Sequence, residues 1–236
     1  MKFDDVTKNI PKSVLGNITL SESKYIYEQI IAHGAYECIE IGVASGCSSA
    51  VMIAALLENE KPTGKIHTLY SYDLLPNCYW DKSLKVGYAG REMLKSEHHY
   101  NWVLRTQTTC LDLKKYHLEN SADLIFIDAC HDHPWPAIDL YACLPYIKDN
   151  GIIILHDINL PTKNPKYKSD GVKTLFYSLD CEKFHINEKI PNIGGIKIKK
   201  NKQYLRNQLK RIIKKNKWKI EIEENILHKL KIKNDF

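Results

Sequence analysis

Two apolar runs in this sequence end in acids and histidines. Asp123-Leu124-Ile125-Phe126-Ile127-Asp128-Ala129-Cys130-His131 closes on an acid with a histidine three residues later. Ile152-Ile153-Ile154-Leu155-His156-Asp157 closes on a histidine–acid pair, with Asn159 close behind. Such a set supports two kinds of chemistry. Asp128 and Asp157 are hard oxygen ligands for Mg²⁺ or Mn²⁺, with His156 as a nitrogen ligand. Alternatively His131, with an ordinary pKa of about 6.5, is suited to take a proton near neutral pH. Either histidine alone could simply hydrogen-bond a loop backbone; the whole set points to a site.

A third run ends differently. Glu40-Ile41-Gly42-Val43-Ala44-Ser45-Gly46 places two glycines where a buried strand turns into a helix, and Ser48 and Ser49 supply hydroxyls at that helix's start. Glycine allows positive φ and lets a ligand approach without a Cβ in the way. Asp73 closes the next strand, where a doubly wound sheet brings its carboxylate beside the glycine turn to accept ribose hydroxyls. The spacing is not GxGxxG and no GK[ST] follows, which lowers dinucleotide and P-loop readings.

The elements that must position these residues alternate. Strands are expected at 36–41, 65–73, 102–106, 123–128 and 152–156, and helices at 48–59, 111–119 and 137–147. Thr19 and Glu22 have capping-box spacing before an earlier helix, and Asp149-Asn150-Gly151 reads as a turn. A helix at 172–179 and an antiparallel hairpin of 184–188 with 195–199 follow. The expected fold is an α/β, Rossmann-like, doubly wound, mostly parallel seven-stranded sheet with a C-terminal antiparallel hairpin and a basic helical tail. Strand ends then converge at one edge of the sheet, where open α/β folds bind ligands. The irregular segment 74–99, with Tyr79, Trp80 and Tyr88, is the expected substrate cover.

Composition narrows the class. The chain has 236 residues, 44% of them hydrophobic and 26% charged, ordinary values for a globular protein. It divides into a domain at 1–200 and a basic helical appendage at 201–236. Residues 201–236 hold eleven Lys or Arg against four Asp or Glu, a surplus of seven in a net charge of +6. The body is therefore near neutral, which argues against a nucleic-acid groove through the site. The tail's 202–217 helix carries Tyr204, Leu205, Leu209, Ile212 and Ile213 beside a cationic face, a pattern compatible with peripheral membrane contact or with packing on the domain or another subunit of a homo-oligomer. No apolar run reaches the roughly 18 residues of a membrane span. The seven scattered cysteines, without a CxxC pair, read as small buried hydrophobes in a reducing cytoplasm.

The segments EIGVASGCSS (40–49), SYD (71–73), DLIFIDACHDH (123–133) and LPYIKDNGIIILHD (144–157) together resemble the class I S-adenosylmethionine-dependent methyltransferases. Within them the closest likeness is to the methyltransferase domain 24 group, related to antibiotic-sugar and catechol-type O-methyltransferases, over roughly residues 20–160. The resemblance implies S-adenosylmethionine bracketed by the loop of Gly42, Ser45, Gly46 and Ser48, with Glu40 beneath, Asp73 on the ribose, Gln107 and Thr108 near the adenine, and Asp128 alongside. Catechol-type metal enzymes carry an Asp after strand four and an Asp-Asn pair after strand five; here Asp128 and His156-Asp157 hold those places. His131 stands where those enzymes have a lysine base. The implied reaction is methylation of a small-molecule hydroxyl, with a sugar or surface-polysaccharide precursor ahead of a catechol. The alternatives are an NAD-dependent or nucleotide-sugar-modifying Rossmann enzyme, or a non-catalytic binding protein tethered by its basic tail.

Overall fold

The structure, a computed structural model, describes residues 1–11, 14–15, 18–200, 202–215, 222–223, 226 and 228. In chain order the elements are α1 (Phe3–Thr7), α2 (Leu20–Ala32), β1 (Glu37–Ile41), α3 (Cys47–Thr63), β2 (Thr68–Asp73), α4 (Tyr88–Met93), β3 (Trp102–Thr106), β4 (Ala122–Ile127), α5 (Trp135–Cys143), β5 (Ile147–His156), α6 (Leu160–Lys163), α7 (Gly171–Ser178), β6 (Lys183–His185), β7 (Ile193–Lys197) and α8 (Lys202–Lys215). The seven strands form one sheet in the order β3-β2-β1-β4-β5-β7-β6. Pairings from β3 to β5 are parallel, and β7 runs antiparallel to both β5 and β6. This is the expected Rossmann-like sheet with its antiparallel hairpin.

The strands are apolar on both faces because helices cover both. Leu124, Phe126, Ile152 and Ile154 point to the side of α1–α4, whereas Ile125, Ile127, Ile153 and Leu155 point to the side of α5, α7 and α8. That two-residue alternation within continuous apolar runs is what a sheet buried on both faces requires. The ladder continues past the strand ends: Gly42 N donates to Tyr72 O and Asp128 N to Ile41 O, both at 2.9 Å. The glycine turn and Asp128 therefore leave the sheet at the same level.

Several boundaries differ from expectation for identifiable reasons. The capping box at Thr19 forms, with Thr19 N donating to Glu22 Oε2 at 2.8 Å. Asp149-Asn150-Gly151 is not a turn before a strand but part of β5. Asn150 takes φ +68° there, and the β4–β5 register shifts between Ala122 and Leu124. The 111–119 segment is a short 3₁₀ turn, Cys110–Lys115, rather than a helix. It breaks off so that His117 can bury its ring between Tyr72 Oη (2.7 Å) and Glu37 Oε1 (3.1 Å). The helix expected at 137–147 is α5, which starts two residues earlier and gives way to β5. Pro62 lies inside the last turn of α3, which ends at Gly64 with φ +64°.

The described helix of the basic tail, α8, packs on the domain. Leu205, Leu209, Ile212 and Ile213 on α8 are buried in the core cluster that contains α5 and α7. These four of the five apolar residues expected on that helix are covered by the domain, whereas Tyr204 is 51% exposed; residues 216 and 217 of the expected helix lie outside the described residues. Among the described residues no helix is long and apolar enough to cross a membrane.

Candidate active site

The carboxyl ends of β1, β2 and β4 surround a cavity of about 340 Å³, whose walls include Gly42, Ala44, Asp73, Thr108, Asp128 and Trp135. Gly42 makes this edge possible. Its φ is +87°, and a Cβ there would lie 2.0 Å from the carbonyl oxygen of Asp128. Asp73 builds the neighbouring wall: its Oδ2 accepts from Val43 N (3.0 Å) and Ala44 N (3.1 Å), and its Oδ1 from Leu75 N (2.8 Å). It thus shapes the glycine loop as well as facing the cavity. Ser45 and Ser48 line a second, smaller space of about 20 Å³ bordered by Gly42 and Asp128.

Two residues expected around the cofactor, Glu40 beneath the loop and Gln107 near the adenine, do not line the cavity. Glu40 is fully buried behind the loop, not on the cavity wall, and accepts hydrogen bonds from Ser48, Ser49 and Ser71, each at 2.6 Å. Burial pushes its pKa up to about 7 although the three hydroxyls pull it down. It ties β1 to β2 and to the start of α3. Gln107 takes φ +57° in the turn after β3 and is exposed away from the cavity, which its neighbour Thr108 does line.

The loop is also braced from outside. Gly87 N donates to Ala44 O, and Ala89 N and Gly90 N to Ser45 O. A Cβ on Gly90 would meet Gly46 O at 2.3 Å, so the segment after β2 packs backbone against backbone. Tyr88 therefore sits on a packed helix, partly buried against the core. Tyr79 is exposed on the cavity rim and meets Trp80 edge-on at 4.7 Å between ring centroids.

Asp128, His131, His156 and Asp157 converge. His131 Nε2 lies 3.3 Å from Asp128 Oδ1 and 3.2 Å from Asp157 Oδ2. His156 Nδ1 lies 3.3 Å from the same Asp128 oxygen and 3.5 Å from Asp157 Oδ1. Asp157 has φ +61°, and its Oδ1 accepts from Asn192 Nδ2 at 2.6 Å.

On the far side of His156 lies Glu22, which sequence spacing marked only as a capping residue. Its Oε2 is 3.4 Å from His156 Nε2, its Oε1 is 3.6 Å from Lys163 Nζ, and the residue is 2% exposed. Nothing in the local sequence signals that contact, because α2 and β5 meet only in the folded chain.

These contacts fix the charges. Burial would lower the pKa of His156, but Asp128 and Glu22 hold it well above the ordinary histidine value. Burial opposes ionisation of Asp128, and His156 and His131 more than offset it, holding that carboxyl low. His131 is desolvated too, yet Asp128 and Asp157 raise its pKa. Burial raises Asp157 against the pull of His156.

His156 Nε2 faces Glu22 and its Nδ1 faces Asp128 and Asp157, so the ring stands beside the converging ligand atoms rather than among them. The residues whose ligand atoms converge are Asp128, His131 and Asp157, all within 4.8 Å of one another.

The cysteines divide unevenly: five are buried, Cys181 is partly so, and Cys130 is exposed beside the cavity.

The profile of a family described as "Methyltransferase domain" matches residues 39–158, half of the chain and all of the strand ends just described. Among solved structures, the chain is similar to the O-methyltransferase TomG of Streptomyces achromogenes, involved in tomaymycin synthesis and solved with S-adenosylmethionine. The two are 14% identical with a TM-score of 0.57, over 83% of this chain and 90% of that one. A Podospora anserina methyltransferase bound to S-adenosylhomocysteine is 15% identical with a TM-score of 0.59, over 83% and 88%. A Bacillus cereus O-methyltransferase in complex with S-adenosylhomocysteine is 14% identical with a TM-score of 0.55, over 82% and 87%. No curated protein matches the chain. These likenesses establish the fold, and the profile establishes the family: the chain belongs to the methyltransferase-domain family, within the class I S-adenosylmethionine-dependent methyltransferases.

Proposed function

We propose that the protein transfers the methyl group of S-adenosylmethionine to a hydroxyl of a small molecule, a sugar or surface-polysaccharide precursor ahead of a catechol. The observation that carries this reading is the double place of Asp128. It lines the cofactor cavity and is also the residue on which His131 and His156 converge. A sulfonium methyl held in the cavity would lie beside groups able to manage the acceptor's proton. The exposed Tyr79 on the rim, backed edge-on by the half-buried Trp80, offers a ring face for a sugar or aromatic acceptor.

In this reaction the acceptor oxygen attacks the methyl carbon in line, the carbon–sulfur bond breaks, and S-adenosylhomocysteine leaves as the neutral thioether. The acceptor's proton passes to the imidazole of His131, whose Nε2–H faces the two carboxylates. Asp128 and Asp157 orient that ring and stabilise its charged form, and most of the acceleration comes from alignment in a desolvated site. Asp128 and Asp157 raise His131's pKa above the ordinary histidine value, so turnover should climb as the pH rises above 6.5.

Asp128, His131 and Asp157 also fit a hard divalent cation, offering two carboxylate oxygens and one imidazole nitrogen on one side of the space. Bound there, Mg²⁺ or Mn²⁺ would supply Lewis acidity that lowers the acceptor hydroxyl's pKa. The imidazole of His131 cannot be ligand and base at once, so chelation separates the two roles.

The test is transfer of labelled methyl from S-adenosylmethionine to a panel of sugars, nucleotide sugars, glycans and catechols. Expected are a labelled hydroxyl ether and a loss of about a hundredfold or more in turnover for His131→Gln, the range of general-base catalysis. A cofactor-loaded enzyme that labels only nitrogen or sulfur acceptors would refute O-methylation. Full activity after exhaustive chelation would leave the base role and eliminate the metal.

A further inference from the structure

Among the described residues, three acids face the cofactor cavity: Asp73, Asp128 and Asp139. Two of them are committed. Asp73 receives three backbone N–H groups, and Asp128 is held between two histidines. Asp139 is different. It sits on α5, is 4% exposed, and has the Cys110 thiol as its hydrogen-bonding neighbour. A thiol is a weak donor, so a buried carboxylate on a cavity wall is left with acceptor capacity that the fold does not use. Burying such a group without a full partner is costly, and a ligand donor would offset that cost.

The sheet order says which part of the cofactor would meet it. The reacting end must lie by Asp128, at the end of β4, and the ribose by Asp73, at the end of β2. Continuing away from β4 in the order β4-β1-β2-β3 leads to Thr108 and the start of the 3₁₀ turn at Cys110. Asp139 reaches this end of the cavity from α5, against Cys110. Trp135, one helical turn earlier on the same face of α5, supplies an aromatic wall beside it. An apolar slot with one aromatic side and one inward acceptor is suited to a flat heterocycle carrying an N–H donor.

We propose that Asp139 recognises the base of the cofactor, its carboxylate accepting a hydrogen bond from the exocyclic amino group of adenine. The inference rests on S-adenosylmethionine being the occupant of the cavity. Burial pushes the Asp139 carboxyl up to about 6, with the Cys110 thiol holding it down, so the group is an acceptor at neutral pH. It discriminates adenine from a 6-oxo base, which presents an oxygen where adenine presents the amino group.

The experiment is calorimetry at pH 7.5 on the full chain with three probes: S-adenosylhomocysteine, its 6-oxo analogue S-inosylhomocysteine, and its N6,N6-dimethyl analogue. The wild type should bind the first at least tenfold more tightly than either of the others. Asp139→Asn, whose amide can donate to a 6-oxo group, should lose at least tenfold for S-adenosylhomocysteine and bind S-inosylhomocysteine more tightly than the wild type does. If the wild type binds S-adenosylhomocysteine but does not discriminate against the dimethyl analogue, Asp139 does not read the amino group; that result needs no variant to fold. An unchanged preference in a folded Asp139→Asn would overturn the inference equally. Absence of any S-adenosylhomocysteine binding by the wild type would instead remove the cofactor reading on which it rests.

Discussion

Glu22 and His156 are held face to face, Oε2 to Nε2 at 3.4 Å, by an N-terminal helix and the fifth strand of the sheet. The contact makes a helix-capping residue part of the support for the acid–histidine cluster. Burial opposes the Glu22 charge, but His156 and Thr19 hold its pKa down to about 2, from an ordinary 4.5. That contribution to stability is present above 4.5 and lost only as the pH falls toward 2. His156 is raised well above 6.5, so its contribution is complete below 6.5 and lost as the pH climbs through the folded value. The pair is therefore most stabilising between 4.5 and 6.5. Glu22→Gln should cost about 3 kcal/mol near pH 6, the scale of a broken buried pair, and less near pH 9. Thermal unfolding across that range checks it; a penalty independent of pH would contradict the pairing.

Glu40 should show the opposite slope. Its folded pKa of about 7 lies above the ordinary 4.5 because it is buried. The folded protein thus binds its proton more tightly, and stability from this group is full below 4.5 and declines as the pH rises to 7. A shift of this size corresponds to about 3 kcal/mol. Glu40→Gln removes the titration, so its stability relative to wild type should improve steadily from pH 5 to pH 8 in urea unfolding. A constant difference would mean that Glu40 is ionised throughout.

Asp73→Ala should weaken S-adenosylhomocysteine binding by more than tenfold. The loss combines a ribose acceptor with the loop geometry set by Val43 and Ala44, whose N–H groups would lack their partner. Stability should fall by about 1–3 kcal/mol, the cost of unsatisfied buried donors. Calorimetry reads the first effect and melting the second; wild-type affinity would exclude Asp73 from the cofactor site.

Gly42→Ala and Gly64→Ala separate crowding from backbone strain. Both glycines have positive φ, but an added Cβ meets nothing within 4 Å at Gly64 and lies 2.0 Å from Asp128 O at Gly42. Gly64→Ala should cost about 1 kcal/mol. Gly42→Ala should cost about 3 kcal/mol or more, as overpacking against backbone does, and abolish cofactor binding. Equal penalties would show that the close approach to Asp128 is relieved without consequence.

Much of the sheet and its working edge was legible because the information is local. An apolar run ending in Asp128 or His156-Asp157 announces both a buried strand and the side of the sheet on which its polar end emerges. Gly42 and Asp73 are legible for the same reason. What was not legible depends on contacts between distant segments. Asp139 sits in a helix whose inward face has no spacing that singles out an acid, and the spacing of Glu22 from Thr19 marks it as a cap and nothing more. His117 ends a helical-looking stretch because Tyr72 and Glu37 receive it. Asn150 reads as a turn on its own, yet the β4–β5 register absorbs it as an irregularity within a strand.

The close approach of Gly42 to Asp128 also bears on how such an enzyme diversifies. Donor loop and reacting edge share one backbone contact, so a change on either side is felt on both and the pair is constrained to persist as a unit. Tyr79 and Trp80 stand on the loop after β2, outside that contact, and their replacement disturbs neither partner. Under the proposed function, a change at the rim would alter the acceptor side and leave the Gly42–Asp128 contact in place, in a fold shared with chains only 14 and 15% identical.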